Sequence, residues 1–209
     1  GPAGRYPNLQ MTDVPEKPPP MVLAAVGPKT LAMAGEHFDG VLLHPFLTPE
    51  AVARSRQIVH QAAERARRDP ATVKIYSVVV VAPDLSAQET ALAVFARAAT
   101  YFVHRELATP IVAMNGWDTR AMERILATSL ERLEMEKVPV DLLRKKMTEA
   151  SKLIPKEWIE TGSAVGTAAE CAARLAEYRC AGSDEIILHG TTTDRLEALV
   201  NAYGATALS

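Results

Sequence analysis

The stretch from Met21 to Pro45, MVLAAVGPKTLAMAGEHFDGVLLHP, limits the possible folds more than any other part of the chain. An apolar run (Met21 to Val26) stops at Gly27-Pro28-Lys29. An amphipathic stretch (Thr30 to His37) follows, then a second apolar run (Val41 to Leu43) that ends at His44-Pro45. This order predicts strand, glycine turn, short helix, strand. The runs are apolar throughout rather than alternating, so both strands are expected to be covered on both faces, as in a parallel sheet. Ala32, Ala34 and Gly35 are small, so the helix is expected to lie close to the sheet.

The same logic extends along the chain. Thr48-Pro49-Glu50 predicts an N-cap, an N1 proline and an acidic first turn, opening a helix to about Arg68 that Asp69-Pro70 ends. Lys74 to Ala82 (KIYSVVVVA) reads as a strand rich in β-branched residues. Ser86 and Glu89 make a capping box for a helix to about Arg105, and Thr167 with Glu170 makes another, stopped by Gly182. Between them lie helical pieces, a polar turn at Asn115-Gly116-Trp117-Asp118 and a break at Ile154-Pro155. A last strand at Glu185 to Leu188 ends at His189-Gly190, and a helix from Asp194 to Tyr203 follows. Residues 1–20 read as a proline-rich loop.

Strands alternating with helices predict an α/β fold with parallel strands. Four strands (21–26, 41–43, 74–82 and 185–188) in 209 residues fall short of a closed (β/α)8 barrel, which takes eight strands and about 250 residues. The expected architecture is therefore part of such a barrel, as one domain over 21–209. With 48% hydrophobic residues the chain can bury a sizeable core. A formal charge of −2 points away from nucleic acid and anionic membranes. No segment nears the ~20 apolar residues of a membrane span, and the first residues lack a signal-peptide layout. Cys171 and Cys180 fall in one predicted helix, too far apart along it for a disulfide, and are expected to be buried structural thiols in a reducing, cytoplasmic setting. No cysteine pair or His/Glu cluster has metal spacing, so no metal is expected.

Taken together, AAVGPKTLAMAGEHFDGVLLHPFLTPE (24–50), NGWD (115–118), IPKEWIETGSAVGTAAECAARLAEY (154–178) and AGSDEIILHG (181–190) resemble the luciferase-like monooxygenase family, in its deazaflavin-dependent branch of (β/α)8 oxidoreductases. The resemblance covers only the C-terminal half to two-thirds of a family member. It implies FMN or coenzyme F420 at the C-terminal mouth of the barrel, and hydride transfer or oxygen activation there. Carried over, Ala25, Val26, Gly27, Pro28 and Lys29 would surround the coenzyme phosphate. Other coenzyme contacts and the family's typical catalytic groups fall in the absent N-terminal part. A half-barrel without catalysis of its own, pairing with a missing N-terminal half or with another copy, is the alternative to an oxidoreductase acting on a small molecule.

Each candidate site also has a plainer reading. Gly27 is either a phosphate cradle at a helix N-terminus or an ordinary turn residue at positive φ. His44 and His189, each directly after a strand, either contact substrate or coenzyme or bond a loop carbonyl. Asp39-Gly40 precedes its strand and reads as a turn. Trp117 and Trp158 either cover a coenzyme ring or pack in the core. Arg144-Lys145-Lys146 reads as a solvated helix face or a dock for an anionic coenzyme tail.

Overall fold

The computed structural model describes residues 16–128 and 139–207. Residues 1–15 of the proline-rich loop lie outside them, as does the Arg144 side chain; residues 16–20 carry no helix or strand. The elements run β1 (Val22–Ala25), α1 (Pro28–His37), β2 (Gly40–Leu43), α2 (Pro49–Arg65), β3 (Lys74–Pro83), α3 (Ala87–Thr90), a π-helical segment (Ala91–Phe95), α4 (Ala96–Phe102), α5 (Arg105–Asn115), α6 (Thr119–Leu126), α7 (Val140–Ser151), α8 (Lys156–Gly162), β4 (Ala164–Gly166), α9 (Ala168–Cys180), β5 (Glu185–His189) and α10 (Glu197–Ala207).

Among the described residues there are five strands, all parallel. β1 pairs β2 and β2 pairs β3, with Ala24, Leu42 and Tyr76 level with one another. β5 also pairs β3, with Tyr76 level with Glu185 and Val80 with His189, while the short β4 joins the last residues of β3. This is the parallel α/β architecture the sequence implies. β4 is a strand beyond the four expected: three residues, Ala-Val-Gly, are too few to show a period.

The caps formed as read. Thr48 accepts from the Ala51 amide at 3.2 Å, with Pro49 at N1. Both capping boxes, Ser86/Glu89 and Thr167/Glu170, are complete. Gly182 stops α9 at φ 102°. The helix after Ser86 is shorter than expected: it passes through the π segment and ends at Phe102, and α5 starts afresh at Arg105. α2 ends at Arg65, and Asp69 caps a separate 3-10 turn instead.

Residues level across parallel strands share a face. Ala25, Val41, Leu43, Ile75, Ser77 and Val79 form one face, sealed by helices. Val22, Ala24, Leu42, Tyr76, Val78 and Ile187 form the other, and it is bare: Val22 is 45% and Ile187 44% exposed. The expectation that both faces of the first strand are covered is therefore corrected. A strand that is apolar on both sides has both sides made for burial, but the described residues cover one side along its length and the other only at its C-terminal end, where Tyr101 and Leu107 reach over it and Val80 is buried. Gly35 packs α1 against α2 rather than against the sheet, because a Cβ there would strike the Val59 carbonyl.

Cys171 is buried but Cys180 is exposed, which corrects the pairing of the two as buried thiols. Nine residues at ~100° each turn halfway round a helix, so the two lie on opposite sides of α9. Among the described residues no helix is long and apolar enough to cross a membrane.

Candidate functional site at the strand C-termini

β1 ends at Ala25, and Gly27 serves as N-cap of α1 with Pro28 at N1. Gly27 has φ −82° and ψ 154°, so the expected positive φ is corrected: the extended chain enters the helix without a left-handed step. A Cβ at this position would meet only the Pro110 side chain, at 4.0 Å. Nothing among the described residues therefore demands glycine here. The helices opened by Thr48, Ser86, Asp118 and Thr167 are each capped by a side chain, whereas α1, like α5, α7 and α8, has none. Its first intrahelical bond runs from the Leu31 amide to the Gly27 carbonyl. The amides of Lys29 and Thr30 belong to the first turn, where helix geometry leaves donors without partners. Lys29 is exposed beside them.

The corner opens on a cavity of about 420 Å³ at the C-terminal end of the bare face. Ala24, Leu42 and Val78 line it from the strands, Val26 and Thr30 from the corner, and Leu107 from α5. His44 and Tyr101 also line it. No charged side chain does. Asp39, at the opposite end of β2, accepts from the Met21 amide at 2.7 Å and fixes the start of the sheet, as a turn residue should.

His44 is half-buried, with Nδ1 2.9 Å from the Pro45 carbonyl oxygen. A carbonyl can only accept, so Nδ1 carries the proton and Nε2 is the free ring nitrogen of the neutral side chain. Burial holds the imidazole below its ordinary pKa, and the bond to Pro45 works weakly the other way. The Tyr101 ring stands edge-on to His44 with centroids 4.6 Å apart. The plainer reading of His44, a ring bonded to a loop carbonyl, thus holds together with its place on the cavity wall.

His189 ends β5 and is level with Val80, on the other side of β3 from His44. Two strand spacings and two residues separate them, on the order of 12 Å. His189 is half-buried, and its pKa is lowered by burial and by the nearby Arg97 charge. The structure therefore joins Ala25, Val26 and His44 at one cavity beside the Gly27 corner and sets His189 apart.

Trp117 and Trp158 stack on each other, 4.8 Å apart and 8° from parallel, with Trp158 buried against Phe102. They pack the helical layer instead of facing the cavity. Another groove, of about 470 Å³, runs between α9, α10 and β5 and includes neither histidine.

Residues that no local pattern marks complete the site. Phe46 sits in the left-handed region at φ 67°, fully buried, at a cost of about 1–3 kcal/mol for a bulky residue. Its carbonyl accepts from Asn115 Nδ2 at 2.8 Å, while Asn115 Oδ1 accepts from the Thr48 amide at 2.9 Å. The Tyr178 hydroxyl donates to the Leu47 carbonyl at 2.8 Å. Asn115 could have been noticed as the first residue of NGWD, but its partner lies 67–69 residues away. Tyr101 carries no signal in the sequence.

The family model for luciferase-like monooxygenases matches residues 3–185. No curated protein matches the chain. Among solved structures the chain is similar to the coenzyme F420-dependent tetrahydromethanopterin reductase from Methanopyrus kandleri (TM-score 0.61, 20% identity, 86% of this chain and 48% of that one). It is similar as well to an F420-dependent secondary alcohol dehydrogenase in complex with an F420–acetone adduct (TM-score 0.61, 14% identity, 90% and 50%). A third is the long-chain alkane monooxygenase LadA (TM-score 0.52, 16% identity, 90% and 42%). At such identities the likeness is one of fold. The chain spans about half the length of the first two structures and less of the third.

Proposed function

The chain belongs to the luciferase-like monooxygenase family, and on that premise we propose that it forms the phosphate-gripping part of a flavin- or deazaflavin-dependent oxidoreductase that moves a hydride to or from a small organic substrate. The observation that carries the reading is the α1 N-terminus, without a capping side chain, beside an apolar cavity with a neutral histidine on its wall. The residues fit a coenzyme phosphate. Gly27 leaves the backbone approachable, Pro28 carries no donor, and the Lys29 and Thr30 amides gain from the helix dipole, a gain of roughly 0.3–1 kcal/mol if exposed. Ala25 and Val26 form the strand side of the cradle, and the exposed Lys29 adds a positive charge.

F420 or FMN, once bound, supplies the hydride chemistry. His44 handles the proton: with Nδ1–H held by Pro45, Nε2 accepts the hydroxyl proton of a substrate alcohol or, protonated, returns it to a carbonyl. His189, outside that cavity and across β3 from His44, takes no part in this proton step. The uncharged cavity wall favours an uncharged substrate end.

The bare face and the outer edges of β1 and β5 call for covering strands. We assign the covering to an N-terminal half that carries the remaining strands of the barrel, in line with solved relatives about twice as long. Titrating FMN and F420 into the 209-residue chain, with fluorescence quenching read beside the mass in solution, tests this reading. Micromolar binding supports it. No binding, together with a dimeric or larger mass, favours a non-catalytic half-barrel that associates with its own copies.

A further inference from the structure

We propose that Asn115 is a positioning residue for His44: its side-chain amide ties the Phe46 carbonyl to the Thr48 amide and thereby fixes the Pro45 carbonyl that holds His44 Nδ1–H. The proposal deepens the role given to His44 above and rests on it. The chain of contacts is short. The Pro45 carbonyl belongs to the peptide unit between Pro45 and Phe46, and the left-handed φ of 67° at Phe46 sets how that unit is turned. A buried phenylalanine does not keep such a φ unless its surroundings enforce it.

Two surroundings do so. Asn115 donates to the Phe46 carbonyl at 2.8 Å and accepts from the Thr48 amide at 2.9 Å, so one planar group spans the turn. Gly162 lies against the Phe46 backbone, and a Cβ there would come within 2.8 Å of the Phe46 oxygen, leaving the turn no room to relax on that side. Asn115 is itself fixed at the end of α5, where the Arg54 guanidinium bonds the neighbouring Met114 carbonyl at 2.5 Å. Asn115 does not line the cavity, so it acts only through the turn.

The tautomer of His44 reports this directly. A histidine side chain free in water favours Nε2–H; the bond to Pro45 imposes Nδ1–H. Long-range ¹H–¹⁵N correlation spectra of the 209-residue chain above neutral pH distinguish the two forms without coenzyme or substrate. The wild type is expected to show His44 as Nδ1–H. Asn115→Ala is expected to lose that form while the amide spectrum of the sheet stays native. Asn115→Asp, which keeps the acceptor for Thr48 but sets an oxygen against the Phe46 carbonyl, is expected to lose it too, and it decides the matter if the alanine variant does not fold. Tyr178→Phe, which removes the Leu47 bond one residue further on, is expected to lower stability and leave the tautomer intact.

Persistence of the Nδ1–H form in a folded Asn115 variant overturns the proposal, and so does an equal loss in Tyr178→Phe. Failure of the coenzyme titration leaves these spectra unchanged, so the two readings fail separately.

Discussion

On the helix-covered face of the sheet, Ile75 and Val79 are fully sealed and Leu43 nearly so; on the opposite face Val22 and Ile187 remain 45% and 44% exposed. Aliphatic side chains make up much of both. The difference is what lies against them, and it separates two jobs. The covered face supplies the folding energy of this chain, at roughly 1.5–3 kcal/mol for each large apolar side chain removed from water. The bare face supplies the site: its upper end is the floor of the cavity beside the Gly27 corner and His44.

The contrast breaks most sharply at Ile75. Ile75→Ala is expected to lower unfolding stability by about 2–5 kcal/mol in denaturant titration, through lost contacts and the cavity left behind. Ile187→Ala, on the bare face, is expected to stay within about 0.5 kcal/mol. Equal costs at the two sites would mean that the faces do not differ as described.

Buried polar pairing on the covered face gives the next effect. Ser77 and Ser183 share a 2.6 Å hydrogen bond between buried hydroxyls. Ser77→Ala leaves Ser183 without that partner, for an expected loss of about 1–3 kcal/mol.

Helix starts sharpen the comparison further. Thr48→Ala removes a capping side chain and should destabilise by about 0.5–2 kcal/mol. Gly27→Asp does the reverse at α1: a carboxylate bonds the free amides from within, and the chain should gain a few tenths of a kcal/mol. The same variant should lose coenzyme affinity, since the carboxylate takes the place of the phosphate. A Gly27→Asp chain that binds coenzyme as tightly as wild type would remove the corner from the account.

The smallest effect is in pH. His44 has a lower pKa folded than unfolded, because burial disfavours its charged form. In the window below the ordinary value of about 6.5 the unfolded state binds more protons, so stability present above that value is lost as pH falls through the folded pKa. His189 and His60 are shifted in the same direction, so all three steepen the loss. His44→Gln should flatten the acid limb of a plot of stability against pH, and an unchanged limb would count against a buried neutral His44.

What the sequence makes legible follows from how local each signal is. Ser86/Glu89, Thr167/Glu170 and Thr48-Pro49 are contacts within four residues, and each formed as read. Strand burial was not legible, because Val22 and Ala24 differ little in type from Leu23 and Ala25, and only the register tells which side a helix covers. The helix end at Val103-His104 falls close to the expected Arg105, although no proline or glycine stands there. Glycine at a turn suggests a left-handed residue, whereas at Gly27 φ is −82° and the missing side chain leaves space instead. Of the site, the corner and His44 are visible as residues following apolar runs; Tyr101 and Asn115 are not, since Tyr101 reaches the mouth, and Asn115 the turn behind it, from helices far along the chain.

The proposed coenzyme site stands on the amides of Lys29 and Thr30 gripping a phosphate. The most direct test is to follow those two amide resonances in ¹H–¹⁵N spectra as FMN, F420 and riboflavin, which lacks the phosphate, are added in turn. FMN or F420 is expected to move both resonances and riboflavin to leave them in place. Movement by riboflavin equal to that by FMN, or no movement with either phosphorylated coenzyme, would contradict it.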